Sequence, residues 1–249
     1  MTYGVGMLVK DGLVMIADTR TNAGVDSISV YRKLHMLADS NDRIVIAASA
    51  GNLSVTQSAL AMLAEGLPPV EGSDDVRRVS DMPTMFRIAQ LVGEATYQAR
   101  DDVREALEAA DISSGVSMLL GGRIRNGPLK LYLIYAAGNF IECGLDSPFL
   151  QIGETKYGKP ILDRALAYDT PLDEAVKVGL ISFDSTMRSN LAVGRPLDLI
   201  VMPNDPNLPV IRRRIERDDG YFNDLSARWG MLLSEARAAI PDPPFMVPS

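Results

Sequence analysis

The chain has 249 residues, 47% of them hydrophobic, and carries a formal net charge of −7 at pH 7. A chain of this size can bury a large core and lies at the upper end of what one domain holds, so we predict a single domain over residues 1–249. The negative charge argues against nucleic acid as a partner, because neutralising phosphates requires a positive surface.

The content of cysteine and histidine excludes further classes. Cys143 and His35 are the single residues of their types, so a disulfide within the chain is impossible and a Cys/His metal site is not expected. We interpret Cys143 as a small buried hydrophobe and His35 as a structural or exposed side chain. Because neither a long apolar span nor a signal-peptide pattern occurs, we predict a cytoplasmic protein without membrane contact. Neither a metal nor an organic cofactor is expected.

The first half of the chain is predicted to form strands and then two helices. Period-two apolar runs indicate strands, and apolar residues spaced three and four apart indicate helices. The predicted strands are 3–9, 13–18, 27–32 and 43–50. The predicted helices start at Leu53 and near Pro83, the second with Ser80 or Asp81 as its N-cap, and the polar stretch 71–81 between them is predicted to be a loop.

The second half repeats this order. The predicted strands are 116–124, 129–136, 140–143, 149–152, 197–202 and 208–213. The predicted helices are 156–168, 171–188 with Thr170 as its cap, and 222–239. Consecutive hairpins favour antiparallel sheets, and paired helices after each set favour covering layers. The prediction is an α+β fold, a four-layer αββα sandwich of two antiparallel sheets between helical layers.

The chemistry is concentrated at the N-terminus. Thr2 follows the initiator methionine directly, and small second residues permit removal of Met1. The freed α-amine would then lie beside the hydroxyl of the same residue. With an unperturbed pKa of about 7.7–8.0, it has a neutral fraction that can accept the hydroxyl proton while Thr2 Oγ1 attacks a carbonyl. Thr2 is therefore the candidate nucleophile.

A nearby cation would assist this reaction by favouring loss of the hydroxyl proton. Lys33 follows the β-type run 27–32, and it could reach Thr2 if that strand neighbours the first one. Asp18 ends the second strand and could hold Lys33 charged and in position. Arg20 is a rival partner for Asp18.

A family resemblance adds to this interpretation. The run 15–24, followed by Lys33, resembles the Ala-Asp-Ser-Arg-Ala-Thr-x-Gly stretch and the following lysine of proteasome β chains. The opening Met-Thr-Tyr and the runs 18–26, 158–164 and 190–198 are most similar to the bacterial Anbu family. The resemblance implies the N-terminal nucleophile hydrolase fold, with Thr2 as nucleophile and Asp18 and Lys33 as its charge partners.

The resemblance also implies a particle and a substrate class. Such chains self-assemble into rings, or into open lock-washer or helical arrangements, and hydrolyse peptides or proteins. A homo-oligomer acting on peptide or protein is therefore expected, whereas an ATPase or peptide-processing partner stays unknown.

Supporting positions follow from the same resemblance. The small-residue end of strand 43–50 implies that the backbone N–H of Ala50 or of Gly51 forms the oxyanion hole. Family β chains have a glycine-flanked serine near the nucleophile's amine, where this sequence has Glu154. The other polar residues that support the active site in the family correspond here to Asp184, Ser185 and Ser189.

Two other functions remain open at this stage. The chain could be a structural or peptide-binding shell subunit without proteolysis, because proteasome α chains share the fold and lack the nucleophile. It could also be a small-molecule amidase of the N-terminal nucleophile type. Thr2, Asp18 and Lys33 together argue against the shell subunit, whereas Glu154 leaves room for it.

Overall fold

The computed structural model describes residues 2–23, 27–70, 72 and 74–246. The strands are β1 Tyr3–Val9, β2 Gly12–Asp18, β3 Arg20–Ala23, β4 Ser27–Val30, β5 Leu34–Ser40, β6 Arg43–Gly51, β7 Val116–Ile124, β8 Lys130–Tyr135, β9 Phe140–Glu142, β10 Phe149–Gly153, β11 Leu197–Pro203 and β12 Ile211–Ile215. The helices are α1 Leu53–Glu65, α2 Met85–Ala109, α3 Lys159–Ala165, α4 Leu172–Ser189 and α5 Gly220–Ala239, followed by a 3-10 turn at Pro244–Met246.

The strands form two five-stranded antiparallel sheets and one small hairpin. The first sheet has the order β10-β1-β2-β11-β12, and the second has the order β5-β6-β7-β8-β9. Strands β3 and β4 pair only with each other in the described part of the chain. The predicted α+β fold with two antiparallel sheets is confirmed.

Apolar side chains fill three interfaces and thereby define four layers. Met15 of β2 packs with Ile46 and Leu119 between the sheets. Its neighbour Ile16 points to the other face, because successive residues of a strand alternate, and it packs against Phe183 of α4. The second sheet is covered on its outer face by α1 and α2. Strand β2 is buried on both faces, which explains why its sequence, GLVMIAD, is almost continuously apolar.

Three predicted helix boundaries were wrong. Helix α2 begins at Met85, and its N-cap is Thr84, whose hydroxyl accepts a hydrogen bond from the Arg87 N–H at 3.2 Å. Thr170 does not cap α4, because its hydroxyl accepts from the Ala167 N–H at 2.9 Å. Helix α3 is shorter than predicted and begins only at Lys159, directly before Pro160, a residue that favours the first helical turn.

Other differences concern strands and loops. Strand β12 begins at Ile211 instead of at residue 208, and Pro209, which has no N–H to donate to a ladder, lies before it. The run 27–32 ends as a strand at Val30. Of the predicted loop 71–81, Glu71 and Ser73 lie outside the described residues.

None of the helices in the described ranges is long and apolar enough to cross a lipid bilayer.

Two helical glycines are expected to respond oppositely to alanine. A Cβ at Gly93 of α2 would lie 2.2 Å from the Gly138 carbonyl oxygen, whereas nothing lies within 4 Å of a Cβ at Gly230 of α5. Gly93→Ala should therefore lower the free energy of unfolding by about 1–3 kcal/mol through overpacking. Gly230→Ala should raise it by up to about 1 kcal/mol, because alanine is the better helix former. Thermal unfolding measures both, and a neutral Gly93→Ala would contradict this packing.

Candidate active site

The β1–β2 hairpin places the N-terminus next to Asp18. The two strands pair Gly4 with Ala17, and the same register sets Tyr3 opposite Asp18. The Tyr3 N–H donates to Asp18 Oδ1 at 3.1 Å. Thr2, one residue earlier, is 6% exposed and thus nearly buried. Met1 lies outside the described residues, so its removal stays a prediction.

Tyr3 fixes the start of β1 against helix α4. Its ring is fully buried and lies 4.4 Å, centroid to centroid, from the ring of Phe183. Its hydroxyl forms a hydrogen bond with the Ser182 hydroxyl at 3.1 Å and accepts one from the Gln151 side-chain amide at 2.8 Å. Burial raises the pKa of Tyr3 to about 12, so the phenol stays neutral. Residue 2 is thereby held by a fixed neighbour on its C-terminal side.

Lys33 and Asp18 form a buried ion pair. Lys33 Nζ lies 2.8 Å from Asp18 Oδ1, and the two residues are 4% and 0% exposed. Nζ also donates to the Arg20 carbonyl at 2.5 Å. Burial lowers the pKa of Lys33 and raises the pKa of Asp18, and the attraction between the two charges opposes both shifts. Mutual attraction and hydrogen bonds thus favour the charged forms of Lys33 and Asp18 against the cost of burial.

Arg20 does not compete with Lys33 for this carboxylate through its side chain. Its backbone N–H donates to Asp18 Oδ2 at 3.2 Å, while its guanidinium donates to the Leu191 carbonyl at 2.6 Å. The backbone of Gly194 also hydrogen-bonds Asp18. Between the two partners that the sequence left open for Asp18, the structure selects Lys33 for the ion pair.

The path that brings Lys33 to Asp18 differs from the prediction. The run 27–30 pairs with β3 and not with β1, so it does not carry Lys33 along the first sheet. Lys33 instead directly precedes β5 of the second sheet, and its carbonyl accepts the Ser49 N–H of β6 at 3.0 Å. The Lys33 side chain thus extends from the second sheet to the end of β2 in the first sheet.

The end of β6 resolves which backbone amide faces this region. Ala50 is paired with Ser117 of β7, and the Asn52 N–H donates to the Gly115 carbonyl at 2.8 Å. Amides alternate in direction along a strand, so the Gly51 N–H points to the opposite side, the side on which Ser49 bonds Lys33. Of the two predicted amides, the Gly51 N–H therefore points to the side of Lys33, and the φ of +113° at this residue favours glycine.

Glu154 contacts Thr2 through its backbone. Its N–H donates to the Thr2 carbonyl at 2.7 Å, and a Cβ at Gly153, where φ is +77°, would lie 2.1 Å from the same oxygen. The Glu154 side chain turns away to other donors, the Lys156 N–H at 2.9 Å and the Asn190 amide at 3.1 Å. The carboxylate therefore braces two loops beside the N-terminus. Asn190 and Tyr3 were not predicted as supporting residues, because their contacts join distant parts of the chain.

The remaining predicted residues lie on α4. Asp184 accepts from Arg188 Nε at 3.0 Å and from the Ser226 hydroxyl at 2.6 Å, and so links α4 to α5. Ser185 is half-buried and Ser189 is exposed. The hydrogen bonds of Asp184 therefore stabilise the packing of α4 against α5.

Solved structures provide the comparison that identifies the family. A structure of Anbu (ancestral beta-subunit) from Yersinia bercovieri superposes with a TM-score of 0.85 at 40% identity, over 97% of this chain and 98% of that one. The chain belongs to the Anbu family. A Gly-1 mutant of Anbu from Hyphomicrobium sp. strain MC1 gives a TM-score of 0.86 at 42% identity, over 97% and 99% of the two chains.

A third Anbu structure adds information on assembly for that protein. It is described as a helical assembly of the Anbu complex from Pseudomonas aeruginosa, with a TM-score of 0.84 at 40% identity over 97% of this chain and 98% of that one. Comparison with protein-family models and with curated proteins gives no match. Solved structures therefore show the Anbu fold over 97% of this chain.

Proposed function

We propose that this protein is a threonine-type peptide or amide hydrolase whose nucleophile is Thr2 after removal of Met1. The observation that carries the proposal is the buried Lys33–Asp18 ion pair. Asp18 accepts a hydrogen bond from the N–H of Tyr3, the residue that directly follows Thr2. Burying two charges costs several kcal/mol per ion, so such a pair is weak evidence for stability. A cation near the Thr2 hydroxyl would favour loss of its proton, which a weak alcohol nucleophile requires.

The proposed reaction has two stages. The Thr2 α-amine takes the hydroxyl proton, Oγ1 bonds to the substrate carbonyl carbon, and the resulting oxyanion accepts a hydrogen bond from the Gly51 N–H. The protonated amine returns its proton to the leaving nitrogen as the C–N bond breaks, which leaves an ester on Thr2. Water, deprotonated by the same amine, then attacks the ester, and the carboxylic acid product leaves as Oγ1 takes the proton back from the amine; the acid then ionises in solvent. Lys33 stabilises negative charge on Oγ1 in both stages.

The pH dependence of Thr2 modification tests this division of roles. The modification rate should rise with pH as the amine loses its proton. The rate should fall again when Lys33 loses its charge. Because burial lowers the pKa of Lys33, this fall should begin below the ordinary pKa of lysine. The measurement is the rate of adduct formation with a threonine-directed epoxyketone between pH 6 and pH 11. A rate that climbs without a maximum would contradict a role for charged Lys33.

We also propose that the protein acts as a homo-oligomer. Support comes from the helical assembly described for the P. aeruginosa relative and from α5, whose residues 231–239 are all exposed. Met231, Leu232 and Leu233 are 52%, 46% and 49% exposed, an apolar surface that a second copy would cover.

Removing part of this surface should weaken assembly. The double variant Leu232→Ser and Leu233→Ser should raise the dissociation constant at least about tenfold, because each leucine is about half-exposed and its remaining burial contributes roughly half of the 1.5–3 kcal/mol of a fully buried leucine. Light scattering over a dilution series measures the change. Leu145→Ser, in a turn where the leucine is 64% exposed, is the control. Equal weakening by both variants would contradict an interface at α5.

A further inference from the structure

A cavity lined by arginines lies next to the segment that holds Asp18. Its volume is about 570 Å³, which is in the range of small-molecule sites. The walls come from the end of α4, the segment before β11, the start of α5 and the side chain of Arg20. Four guanidinium groups line it, from Arg20, Arg188, Arg195 and Arg217, and Asp184 supplies the one carboxylate among the described lining residues.

The single carboxylate of the cavity is already committed. Asp184 is 4% exposed and accepts from Arg188 and from the Ser226 hydroxyl, which in turn accepts from Arg188 Nη2 at 2.9 Å. A further acid at the start of α5, Asp219, accepts from Arg213 and from the Phe222 N–H, and it also attracts Arg195 electrostatically. Arg188 is thus paired within a closed triad and Arg195 is partly compensated by Asp219, whereas neither Arg20 nor Arg217 forms an ion pair with a described residue.

Two of the remaining arginines are held in place by neutral groups. Arg20 donates to the Leu191 carbonyl, packs flat against Gly194, and has a buried Nε without a hydrogen-bond partner. Arg195 lies over the Phe222 ring at 5.0 Å and donates to the Asn223 side chain at 2.9 Å. Stacking on an aromatic ring leaves the in-plane N–H donors of a guanidinium available to a ligand. The third, Arg217, is exposed at the rim.

Three guanidiniums that form no ion pair within 4 Å in the described residues thus line one concave site, although the chain has a net charge of −7 and Asp219 attracts one of them, Arg195. Planar guanidiniums bind carboxylate and phosphate oxygens through paired, charge-assisted hydrogen bonds. Phosphate and carboxylate therefore share the chemistry that this cavity recognises, and its size admits a ligand with more than one such group.

We propose that this cavity binds a small polyanion that carries at least two phosphate or carboxylate groups. Arg195 and Arg217 donate to the ligand's oxygens together with the Arg20 guanidinium. Arg20 and Gly194 line the cavity, and their backbones both hydrogen-bond Asp18. The ligand is therefore bound next to the segments that hold the Lys33–Asp18 pair. This binding site is independent of whether Thr2 is a nucleophile.

Titration calorimetry of the full chain tests the proposal with pyrophosphate and with citrate, at constant ionic strength set by sodium chloride. At least one should bind saturably with a dissociation constant below about 1 mM. Pyrophosphate alone would assign a phosphate ligand, citrate alone a carboxylate ligand, and both the shared oxyanion chemistry. If neither saturates by about 10 mM, the proposal is overturned, and an acidic group of a neighbouring copy is the alternative occupant.

Charge-neutralising variants locate the binding. Arg195→Gln and Arg217→Gln should each weaken binding at least about tenfold, the loss of one charge-assisted contact. Arg104→Gln on α2, where the arginine pairs with Asp101 and Glu108, removes the same charge elsewhere and should leave the affinity unchanged. Because Arg195 packs on Phe222, Arg217→Gln serves as the variant that leaves the fold intact. Full affinity in Arg217→Gln, or equal weakening in Arg104→Gln, would refute the site.

Discussion

Replacing Lys33 by methionine should slow the modification of Thr2 by an epoxyketone on the order of 10²–10³-fold, the usual effect of removing one electrostatic stabiliser. Methionine keeps the length and apolar stem of lysine and removes only the ammonium charge. The adduct rate, followed by intact mass at pH 8, measures the effect. If Lys33→Met reacts at the rate of the parent, the ion pair has no part in activating Thr2.

The same variant should also be less stable, and increasingly so as pH rises. Without Lys33, Asp18 is a buried carboxylate that lacks its cation, which typically costs about 3–5 kcal/mol. Burial raises the pKa of the folded Asp18 carboxyl above the unfolded value of about 3.9. Stability that is present when this group is protonated is therefore lost as pH rises through the folded pKa. The deficit relative to the parent should grow from pH 4 to pH 7.

Lys130→Met provides the matched control for both readouts. Lys130 forms an exposed pair with Glu142, on the second sheet, and such pairs contribute about 0–1 kcal/mol. This variant should retain the parent's adduct rate and unfold within about 1 kcal/mol of it at every pH. A comparable pH-dependent loss in Lys130→Met would show that the effect is not specific to the buried pair.

Thr2→Ala should abolish adduct formation and peptide hydrolysis, because it removes the oxygen that attacks. Alanine is also a small second residue, so Met1 should still be removed and the chain terminus should match that of the parent. Thr2→Ser should retain activity, since the hydroxyl and the amine are both kept. Rates with a fluorogenic peptide and the mass of the adduct measure the three proteins side by side.

A one-residue insertion separates the hydroxyl from the amine. With one glycine inserted between Met1 and Thr2, the hydroxyl persists but the free amine belongs to the preceding residue. This protein should lose most of its reactivity, because the base no longer lies on the nucleophile's own residue. Full reactivity would mean that another group accepts the proton, and the amine would then have no catalytic role.

Much of the candidate site could be predicted because a short hairpin fixes it. The two-residue turn Lys10-Asp11 sets the register of β1 and β2, and this register places Tyr3 opposite Asp18. The position of Asp18 beside the N-terminus is therefore a local property of the first 18 residues. The strands and helices that carry strong apolar periodicity, such as β7 and α4, were also predicted to within a few residues.

The approach of Lys33 depends on packing between sheets, which periodicity does not encode. Residues 27–30 look like a strand of the main sheet, but they fold back on β3, and Lys33 enters from the start of β5. Asp184 is a similar case, since its partner Ser226 is 42 residues away on α5. The arginines of the cavity are likewise drawn from four separate segments, so no sequence window contains the cluster.

The direct test of the central claim is the intact mass of the purified protein before and after treatment with a threonine-directed epoxyketone, with the adduct located by peptide mapping. The account predicts a chain that has lost Met1 and gains one adduct, on Thr2, with no gain in Thr2→Ala. A chain that retains Met1, or a Thr2→Ala protein that is modified as readily as the parent, would contradict it.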